Sequence, residues 1–406
     1  MKKPEVVIVG LGYIGLPTAA LIASNEIKVF AVDINEDIVN TINKGKIHIV
    51  EPDLDIAVSS SVANGLLCAG IEAVEANNYI IVVPTPFKGN KEPDISYVKS
   101  ATLGVIPFLK KGDLFIIEST CPVGTTKKMM DLIYSKRPEL VDNIFIAYCP
   151  ERVLPGNVMY ELIYNDRVIG GVNDLSTEKA INFYQKFVKG KLHATNDKTA
   201  EMCKLVENSS RDVQIAFANE LSLICDKAEI DVWKLIDLAN KHPRVNILQP
   251  GCGVGGHCIA VDPYFIASDF PNESIIISKS REINNFKPKW CVEKIENEVL
   301  KFELRTGSKP KIAIMGLAFK PNIDDLRQSP ALSIAFDLSK KIDVKDVFFV
   351  EPNIDSHDYF KLVDFKIAVN NSDIIVFLVA HDQFKNLNLS DKIEIDFCGV
   401  LKNKID

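Results

Sequence analysis

The 406-residue sequence lacks any uninterrupted run of about eighteen apolar residues, so it predicts no helix that spans a membrane. It lacks an excess of positive charge: 47 Lys and Arg stand against 54 Asp and Glu, and the formal charge of −7 is unlike that of a general nucleic-acid binder. It also lacks an even, closely spaced set of cysteines, because nine are scattered along the chain, which favours reduced thiols over a disulfide framework. The N-terminal MKKPEVVIVGLGYIG has no small-residue cleavage site, so we expect a cytoplasmic protein.

What is present is a chain too long for one ordinary core, in which β-rich runs alternate with helical intervals. EVVIVG (5–10) predicts a strand, LPTAALIASN a helix after the turn GLGYIG, and KVFAVDIN a second strand that ends in Asp33. Further strands are predicted at YIIVVPTP (79–86), DLFIIEST (113–120) and IFIAYCP (144–150). This alternation is typical of a doubly wound parallel sheet.

A long helical section separates this region from a second one of similar pattern. From about Thr199, apolar residues recur at three- and four-residue spacing, and the helical section continues to about residue 300. The opening pattern then returns in KIAIMGLAFK (311–320), VKDVFFVEPN (344–353) and SDIIVFLVAHD (373–383), with Glu351 near the place of Asp33. LRTGSKP (304–310) is predicted to be the linker into this last part.

The fold class predicted from these patterns is α/β, with two Rossmann-like doubly wound domains joined by a central helical domain. We expect the domain bounds to fall at 1–195, 196–300 and 301–406.

Gly10, Gly12 and Gly15 form a GxGxxG turn directly between a predicted strand and a predicted helix. The first glycine permits the tight turn, the second lets the backbone approach a pyrophosphate, and the third lets helix and strand pack closely. Asp33 at the end of the next strand can bind both ribose hydroxyls and would repel a 2′-phosphate, which favours NAD over NADP. Thr85 and Thr120 follow two further strands, at the edge of the sheet where ligands bind.

The stretch PGCGVGGHCIAVDP (250–263) fits neither a zinc site nor a phosphate loop, because it has no CxxC pair, no HExxH and no Gly-Lys-Ser/Thr end. No metal site is predicted. Cys258 follows Gly255 and Gly256, which leave side chains out of the way of a ligand, and a buried structural cysteine is the alternative. In an NAD enzyme a thiol can add to an aldehyde, so that a second hydride transfer gives a thioester that water hydrolyses.

Polar groups that could assist such a thiol occur in two other segments. Lys204 and Asn208 are four residues apart and share one face of the long helix, although a solvated lysine and an ordinary polar residue are the plain alternative. Glu151 and Arg152 follow a predicted strand and could equally be a surface pair.

Together these motifs resemble the family of NAD-dependent nucleotide-sugar 6-dehydrogenases, which includes UDP-glucose and GDP-mannose dehydrogenases. In the expected order the chain has GLGYIGLP, VVPTP, ESTCPVGTT, CPERVLPG, EMCKLVENS, PGCGVGGHCIAVDPY and GLAFKPNIDDLRQSP. The segment around the cysteine is most similar to the branch that oxidises UDP-N-acetyl-D-mannosamine. The resemblance implies two successive oxidations at C6 of a UDP-N-acetylhexosamine, by two NAD⁺ and without release of the aldehyde.

The resemblance also assigns roles, residue by residue. It implies Cys258 as the nucleophile, Lys204 as the general acid and base, Asn208 at the oxyanion, Asp262 and Thr120 at the hydrolytic water, and Glu151 in thioester hydrolysis. The residues implied at NAD are Gly10, Gly12, Tyr13, Ile14, Gly15, Asp33, Thr85, Thr120 and Arg327. Those implied at the nucleotide sugar are Arg152, Val153, Lys204, Asn208, Arg211, His242, Arg244, Gly255, Phe319 and Lys320. Family members dimerise through the helical centre, so a homodimer or a higher homo-oligomer is expected.

Three positions depart from the family pattern: Cys252 is often proline, Phe319 is often tyrosine, and Cys398 lies where a basic residue is expected. The same chemistry on UDP-N-acetylglucosamine or UDP-glucose remains open. A two-electron dehydrogenase of the 6-phosphogluconate type needs neither Cys258 nor a second Rossmann-like half. A non-catalytic nucleotide-sugar or NAD sensor is the alternative from a different class.

Overall fold

The computed structural model describes residues 3–89, 91–153, 156–256 and 258–401, and it divides the chain into two compact units. The first unit comprises Met1–Glu207 and Tyr264–Asp269, and the second comprises Asn208–Pro263 and Phe270–Asp406. In the described residues no helix is long and apolar enough to cross a membrane. No cluster of three metal-ligating side chains occurs there either, and none of the nine cysteines is in a disulfide.

The first unit contains one large sheet with helices on both faces. Its strands are β1 (Val6–Val9), β2 (Val29–Val32), β3 (Leu67–Gly70), β4 (Asn78–Ile81), β5 (Leu114–Ile117), β6 (Phe145–Tyr148), β7 (Arg167–Gly171) and β8 (Leu192–Asn196). Its helices are α1 (Gly15–Ser24), α2 (Glu36–Asn43), α3 (Leu54–Ala63), α4 (Ser96–Val105), α5 (Thr125–Lys136), α6 (Val158–Tyr164) and α7 (Asp174–Tyr184), with short 3₁₀ helices at Ile106–Phe108 and Pro138–Leu140.

The strand order β3-β2-β1-β4-β5-β6-β7-β8 confirms the doubly wound sheet that the alternating pattern predicts. Every pairing is parallel except that of β6 with β7, which is antiparallel. Central strands such as LFII in β5 are buried throughout, because helices cover both faces of a parallel sheet. The strands are shorter than predicted: β4 ends at Ile81, because Pro84 and Pro86 cannot donate hydrogen bonds to a neighbouring strand.

The predicted long helix is α8 (Asp197–Lys227), which begins two residues earlier than expected and crosses from the first unit into the second. The chain then forms α9 (Val232–Ala239), α10 (Asp262–Asp269) and α11 (Ile275–Thr306). The predicted linker at 304–310 is wrong at its start, because α11 includes residues 304–306. The helix ends only at Gly307, whose φ of +72° is the left-handed conformation that glycine adopts at helix ends.

The second unit ends in a smaller parallel sheet. After α11 the chain forms β9 (Ile312–Met315), α12 (Pro330–Ser339), β10 (Val347–Val350), α13 (Phe365–Asn371), β11 (Ile374–Phe377) and β12 (Ile393–Asp396), with 3₁₀ helices at Val344–Asp346 and Asp382–Phe384. The strand order is β10-β9-β11-β12. This sheet confirms the second Rossmann-like half, and α8, α9 and α11 confirm the helical centre.

Candidate active site

The turn between β1 and α1 is built so that a ligand can approach its backbone. Gly10 has a φ of +98°, and a Cβ there would lie 2.1 Å from the carbonyl oxygen of Val82. A Cβ on Gly15 would lie 1.9 Å from the carbonyl oxygen of Gly10, so both glycines are required by packing. A Cβ on Gly12, by contrast, meets nothing within 4 Å among the described atoms. The second glycine of the motif therefore faces open space.

The first turn of α1 offers its N–H groups to an anion. In the described structure its N-cap residue, Ile14, makes no capping hydrogen bond with its side chain, and the first turn carries no acidic residue. Backbone N–H groups at a helix N-terminus and the positive end of the helix dipole favour phosphate binding. Tyr13 beside them is 47% exposed.

Asp33 lies at the carboxyl end of β2, beside this turn. Its Oδ2 accepts a hydrogen bond from Leu11 N at 3.0 Å, and its Oδ1 accepts one from Asn35 N at 2.9 Å. The half-buried carboxylate is thus held at the position where a dinucleotide fold binds ribose hydroxyls. The residues of the β1–α1 turn and Asp33 fit an NAD molecule.

The loops that carry Thr85 and Thr120 are joined by a residue that the motif search misses. Ser119 Oγ accepts a hydrogen bond from Val83 N at 2.9 Å and donates one to Val83 O at 2.8 Å. Both threonines are half-buried just after β4 and β5. The position of Ser119 one residue before Thr120 is the only sequence signal for this role.

A buried polar cluster lies next to Thr120. Glu118 accepts a hydrogen bond from the Tyr184 hydroxyl at 2.5 Å, and the Arg167 guanidinium lies 3.6 Å from the same carboxylate. Burial nevertheless raises the pKa of Glu118, and it raises the pKa of the neighbouring Cys149 thiol to about 11. Cys149 is therefore protonated and unreactive at neutral pH.

The segment after β6 is held to α8. Arg152 forms an ion pair with Glu207 at 2.7 Å and donates to the carbonyl oxygen of Asp166 at 3.3 Å. The carboxylate of Glu151 accepts a hydrogen bond from the backbone N–H of Val153. Glu207 was not among the predicted site residues, although it lies one helical turn after Cys203 in the quoted EMCKLVENS motif.

Lys204 and Asn208 lie one turn apart on α8, as predicted, and Lys204 is only 8% exposed. The plain alternative for Lys204, a solvated surface lysine, is therefore wrong. Burial of a lysine side chain is unusual unless its charge is paired with a neighbouring group.

In the second unit the backbone of Cys258 is hydrogen-bonded to that of Asp262, whose side chain is hydrogen-bonded to Asn208. The carbonyl oxygen of Cys258 accepts hydrogen bonds from Val261 N at 3.0 Å and Asp262 N at 2.9 Å, which forms the turn into α10. Asn208 Nδ2 donates to Asp262 Oδ2 at 2.5 Å, and Asp262 is 3% exposed. The backbone of Cys258 and the side chain of Asn208 therefore both bond to Asp262, although Asn208 and Cys258 are fifty residues apart in the sequence.

All nine cysteines are described, and Cys258 alone is exposed. Burial raises the pKa of the Cys252 thiol to about 12, so that this thiol, six residues earlier, is unreactive at neutral pH. The alternative that Cys258 is a buried structural cysteine is wrong.

The reason for the glycines before Cys258 differs from the expected one. A Cβ on Gly255 would lie 2.5 Å from Gln328 O and 2.8 Å from Phe319 Cβ, and one on Gly256 would lie 3.0 Å from the Phe319 ring. Gly256 also has a φ of +83°. These glycines do not leave open space for a ligand. They let the segment after β9 pack directly on the Cys258 loop.

The remaining predicted contacts lie on the surface of the second unit. Arg211, His242, Arg244 and Lys320 are exposed, and Phe319 is half-buried. Arg327 forms an ion pair with Asp325 at 2.7 Å, with its side chain 53% exposed. Their roles toward substrate or cofactor stay predictions.

Comparison with known proteins agrees with this geometry. Models of the UDP-glucose/GDP-mannose dehydrogenase family match the chain in three parts: the NAD binding domain at residues 4–188, the central domain at 198–286, and the UDP binding domain at 313–403. The chain belongs to this family. Its members are NAD-dependent dehydrogenases, so NAD is the cofactor and a UDP-sugar is the substrate.

Individual relatives cover nearly the whole chain. A UDP-N-acetyl-D-mannosamine dehydrogenase of Campylobacter jejuni is 52% identical over 97% of this chain and 99% of its own length. An NDP-N-acetyl-D-galactosaminuronic acid dehydrogenase of Ralstonia nicotianae is 47% identical over 98% of this chain and 96% of its own. The solved structure of the UDP-D-ManNAc dehydrogenase of Pyrococcus horikoshii superposes with a TM-score of 0.87, at 37% identity, over 98% of this chain and 96% of that one.

Proposed function

We propose that the protein is a UDP-N-acetyl-D-mannosamine 6-dehydrogenase, which converts UDP-N-acetylmannosamine, two NAD⁺ and water into the corresponding uronate and two NADH. The observation that carries the proposal is the exposed Cys258 in a turn that leads to Asp262 and its partner Asn208, because an exposed thiol is needed for the second oxidation and not for the first. The similarity to the Campylobacter dehydrogenase supports the choice of sugar.

In the first oxidation, Lys204 takes the proton of the C6 hydroxyl while a hydride leaves C6. Bound NAD⁺ accepts one hydride in each of the two oxidations. The Cys258 thiol then adds to the aldehyde carbon, which forms a C–S bond and a thiohemiacetal, and the amide of Asn208 with Lys204 stabilises the developing oxyanion.

Loss of the second hydride from the carbon and of the proton from the hydroxyl group of the thiohemiacetal, with Lys204 as the proposed base, leaves a thioester on Cys258. Water attacks its carbonyl carbon, the C–S bond breaks, and the carboxylate and the thiol are released. Asp262 and Thr120 are proposed to position this water, and Glu151 to assist its deprotonation. The burial of Asp262 and its hydrogen bond from Asn208 support a fixed orientation for that carboxylate.

The other assignments follow the family motifs. NAD is proposed to contact Gly10, Gly12, Tyr13, Ile14, Gly15, Asp33, Thr85, Thr120 and Arg327. The nucleotide sugar is proposed to contact Arg152, Val153, Lys204, Asn208, Arg211, His242, Arg244, Gly255, Phe319 and Lys320. The ion pair with Glu207 and the bond to Asp166 O use part of the five N–H donors of Arg152, which leaves others for a ligand.

The division into segments 1–195, 196–300 and 301–406 is likewise proposed, with the second segment as the dimer contact. Exposed apolar side chains on the helical centre support a homodimer, among them Phe217 at 51%, Ile224 at 56% and Leu238 at 61% exposure. A cytoplasmic location stays a prediction.

The test is to incubate the protein with NAD⁺ and separately with UDP-N-acetylmannosamine, UDP-N-acetylglucosamine, UDP-N-acetylgalactosamine and UDP-glucose, and to count NADH formed per sugar consumed. Two NADH per UDP-N-acetylmannosamine, lost in Cys258→Ala and kept in the control Cys68→Ala, is the expected result. Two NADH from another sugar would correct the substrate. One NADH without dependence on Cys258 would overturn the thioester mechanism, and NAD binding without turnover of any sugar would favour a sensor.

A further inference from the structure

The segment between β9 and α12 is much longer than the corresponding turn between β1 and α1. We call residues 319–329 the β9–α12 loop. It packs on the Cys258 loop, since Gly255 and Gly256 leave no space for a Cβ against Phe319 and Gln328. It also carries Phe319 and Lys320, the proposed contacts to the nucleotide sugar. What holds this loop in place therefore affects substrate binding.

His381 lies beneath the β9–α12 loop and is completely buried. Its Nδ1 is 2.9 Å from the backbone nitrogen of Asn322 in the loop and 2.9 Å from Asn353 Nδ2. Its Nε2 is 3.0 Å from Glu351 Oε2. The imidazole thus joins the loop to the carboxyl end of β10, and none of the site assignments above uses it.

These contacts fix the tautomer of His381. A backbone N–H can only donate, so Nδ1 must accept the hydrogen bond from Asn322 and carries no proton. Nε2 then carries the proton and donates it to Glu351. Because Glu351 Oε2 also accepts from Leu317 N at 2.8 Å and Ala318 N at 2.9 Å, the carboxylate is fixed by the end of β9.

Asn322 lies at a turn of the loop that is anchored at more than one point. It has a φ of +61°, which is uncommon outside glycine, and its backbone N–H donates to His381 Nδ1. Asn322 is also tied to Asp382 next to His381, by Nδ2 to Oδ2 at 2.9 Å and by Oδ1 to Asp382 N at 3.0 Å. These side-chain contacts are exposed, whereas the contact with His381 is half-buried.

We propose that His381 is a positioning residue of the UDP-sugar site: its Nδ1 holds the β9–α12 loop through Asn322, and Glu351 selects the tautomer that can do so. The proposal rests on the proposed function only in taking this loop as part of the UDP-sugar site. Removing the acceptor would leave the half-buried N–H of Asn322 without this hydrogen bond and so weaken the contact that holds the loop on the buried His381.

The test uses two substitutions, each of which keeps one of the two hydrogen-bonding functions of the imidazole. In His381→Asn the side-chain oxygen can replace Nδ1 as acceptor for Asn322, and in His381→Gln the side-chain nitrogen can replace Nε2 as donor to Glu351. We expect His381→Gln to raise the Kd for UDP by about ten-fold and His381→Asn by less than about three-fold. The Kd for NAD, measured in the same samples by calorimetry, should change much less than the Kd for UDP in both variants, because Arg327 is the single proposed NAD contact in the β9–α12 loop. In steady-state assays, KM for the sugar should rise in His381→Gln while kcat changes little.

Equal UDP affinity in the two variants, or the larger loss in His381→Asn, would overturn the proposal. If His381→Gln does not fold, His381→Asn decides alone: UDP affinity within about three-fold supports the proposal, and a loss of about ten-fold with intact NAD binding overturns it. Because UDP binding needs neither turnover nor a particular sugar, a failure of the proposed oxidation would leave this result unaffected.

Discussion

The turns that follow β1 and β9 begin in the same way. Gly10 has a φ of +98° and donates its N–H to Val32 O at 2.8 Å. Gly316 has a φ of +95° and donates to Val350 O at 2.9 Å. In both sheets the chain thus leaves the first strand through a glycine in the left-handed conformation, bonded to the last residue of the second strand.

The carboxylates at the ends of the second strands show the first difference. Asp33 accepts from Leu11 N, and Glu351 accepts from Leu317 N, so the two positions correspond. Asp33 is half-buried beside an open turn, whereas Glu351 is 3% exposed and bonded to His381. Asp33 can therefore bind a ribose hydroxyl, whereas the carboxylate of Glu351 already accepts its hydrogen bonds from protein groups.

The helices that follow show the second difference. α1 begins at Gly15, directly after the turn, and Ile14 gives it no capping side chain. α12 begins only at Pro330, after the β9–α12 loop, and Ser329 caps it by accepting a hydrogen bond from Leu332 N at 3.2 Å. The N–H groups at the start of α1 are thus left for a ligand, whereas the start of α12 is capped by a protein side chain. Only the first half keeps the dinucleotide geometry.

The largest effects are expected where the two turns are alike. Gly10→Ala would place Cβ 2.1 Å from Val82 O, and Gly316→Ala would place it 2.5 Å from Val379 Cβ, so each should lose about 3 kcal/mol of stability or more. Gly112→Ala is the control, because Gly112 has a φ of +87° with nothing within 4 Å in the described structure, and it should lose only about 1 kcal/mol. Soluble yield and thermal melts measure this. If Gly112→Ala lost as much stability as the other two variants, the positive φ and not the lack of space for Cβ would account for the losses.

Neutralising the two carboxylates should have opposite effects: loss of stability for Glu351 and loss of NAD affinity for Asp33. Both oxygens of Glu351 accept from donor groups, Leu317 and Ala318 N–H on one side and Asn353 on the other. Either orientation of the amide in Glu351→Gln therefore sets an NH2 against a donor, which should lower stability by about 2–3 kcal/mol while NAD affinity is unchanged. Asp33→Asn should change the melting temperature little and weaken NAD binding by about ten-fold or more. Calorimetric titration with NAD and thermal melts of both variants check this. If Asp33→Asn lost stability and kept its NAD affinity, the comparison of an open and an occupied carboxylate would fail.

The stability that Glu351 contributes should also depend on pH in the acid range. Burial alone raises the pKa of its carboxyl, but hydrogen bonds from His381 and Leu317 outweigh this, and the pKa lies below its ordinary value. A carboxyl with a depressed pKa in the folded state contributes its full stability above the unfolded-state pKa of about 4.3, and this contribution is lost as pH falls through the lower folded value. Between about pH 5 and pH 3 the melting temperature should therefore fall more steeply in the wild-type protein than in Glu351→Gln. Parallel curves would contradict this.

The smallest effect is expected at the cap of α12. Ser329→Ala loses the bond from Leu332 N and the bond to Leu317 O at 2.6 Å, and should cost about 1 kcal/mol. Ser339→Ala is the control, because Ser339 Oγ donates only within α12, to Phe336 O at 2.8 Å, in the described contacts. Equal melting temperatures for the two variants would show that the cap contributes nothing measurable.

Much of the fold and part of the site can be predicted from the sequence. The alternation of β-branched runs and helical intervals predicts both sheets, because parallel strands covered by helices are apolar throughout. It does not predict β3 or the antiparallel β7, since LCAG and RVIGG are short and carry glycines that depress the strand signal. GxGxxG and Asp33 predict the NAD site because the whole dinucleotide motif lies within one βαβ unit.

The sequence by itself determined which residues are available: three glycines and an aspartate in a dinucleotide motif, and the thiol, lysine and asparagine that we propose for the chemistry. Only the tertiary structure decided which of them meet. The pair of Asn208 and Asp262, the packing of Gly255 on Phe319 and the bond from Asn322 to His381 each join residues more than fifty positions apart. Local spacing carries no signal for such contacts, because they form only when separate elements pack together and exclude water from the groups between them.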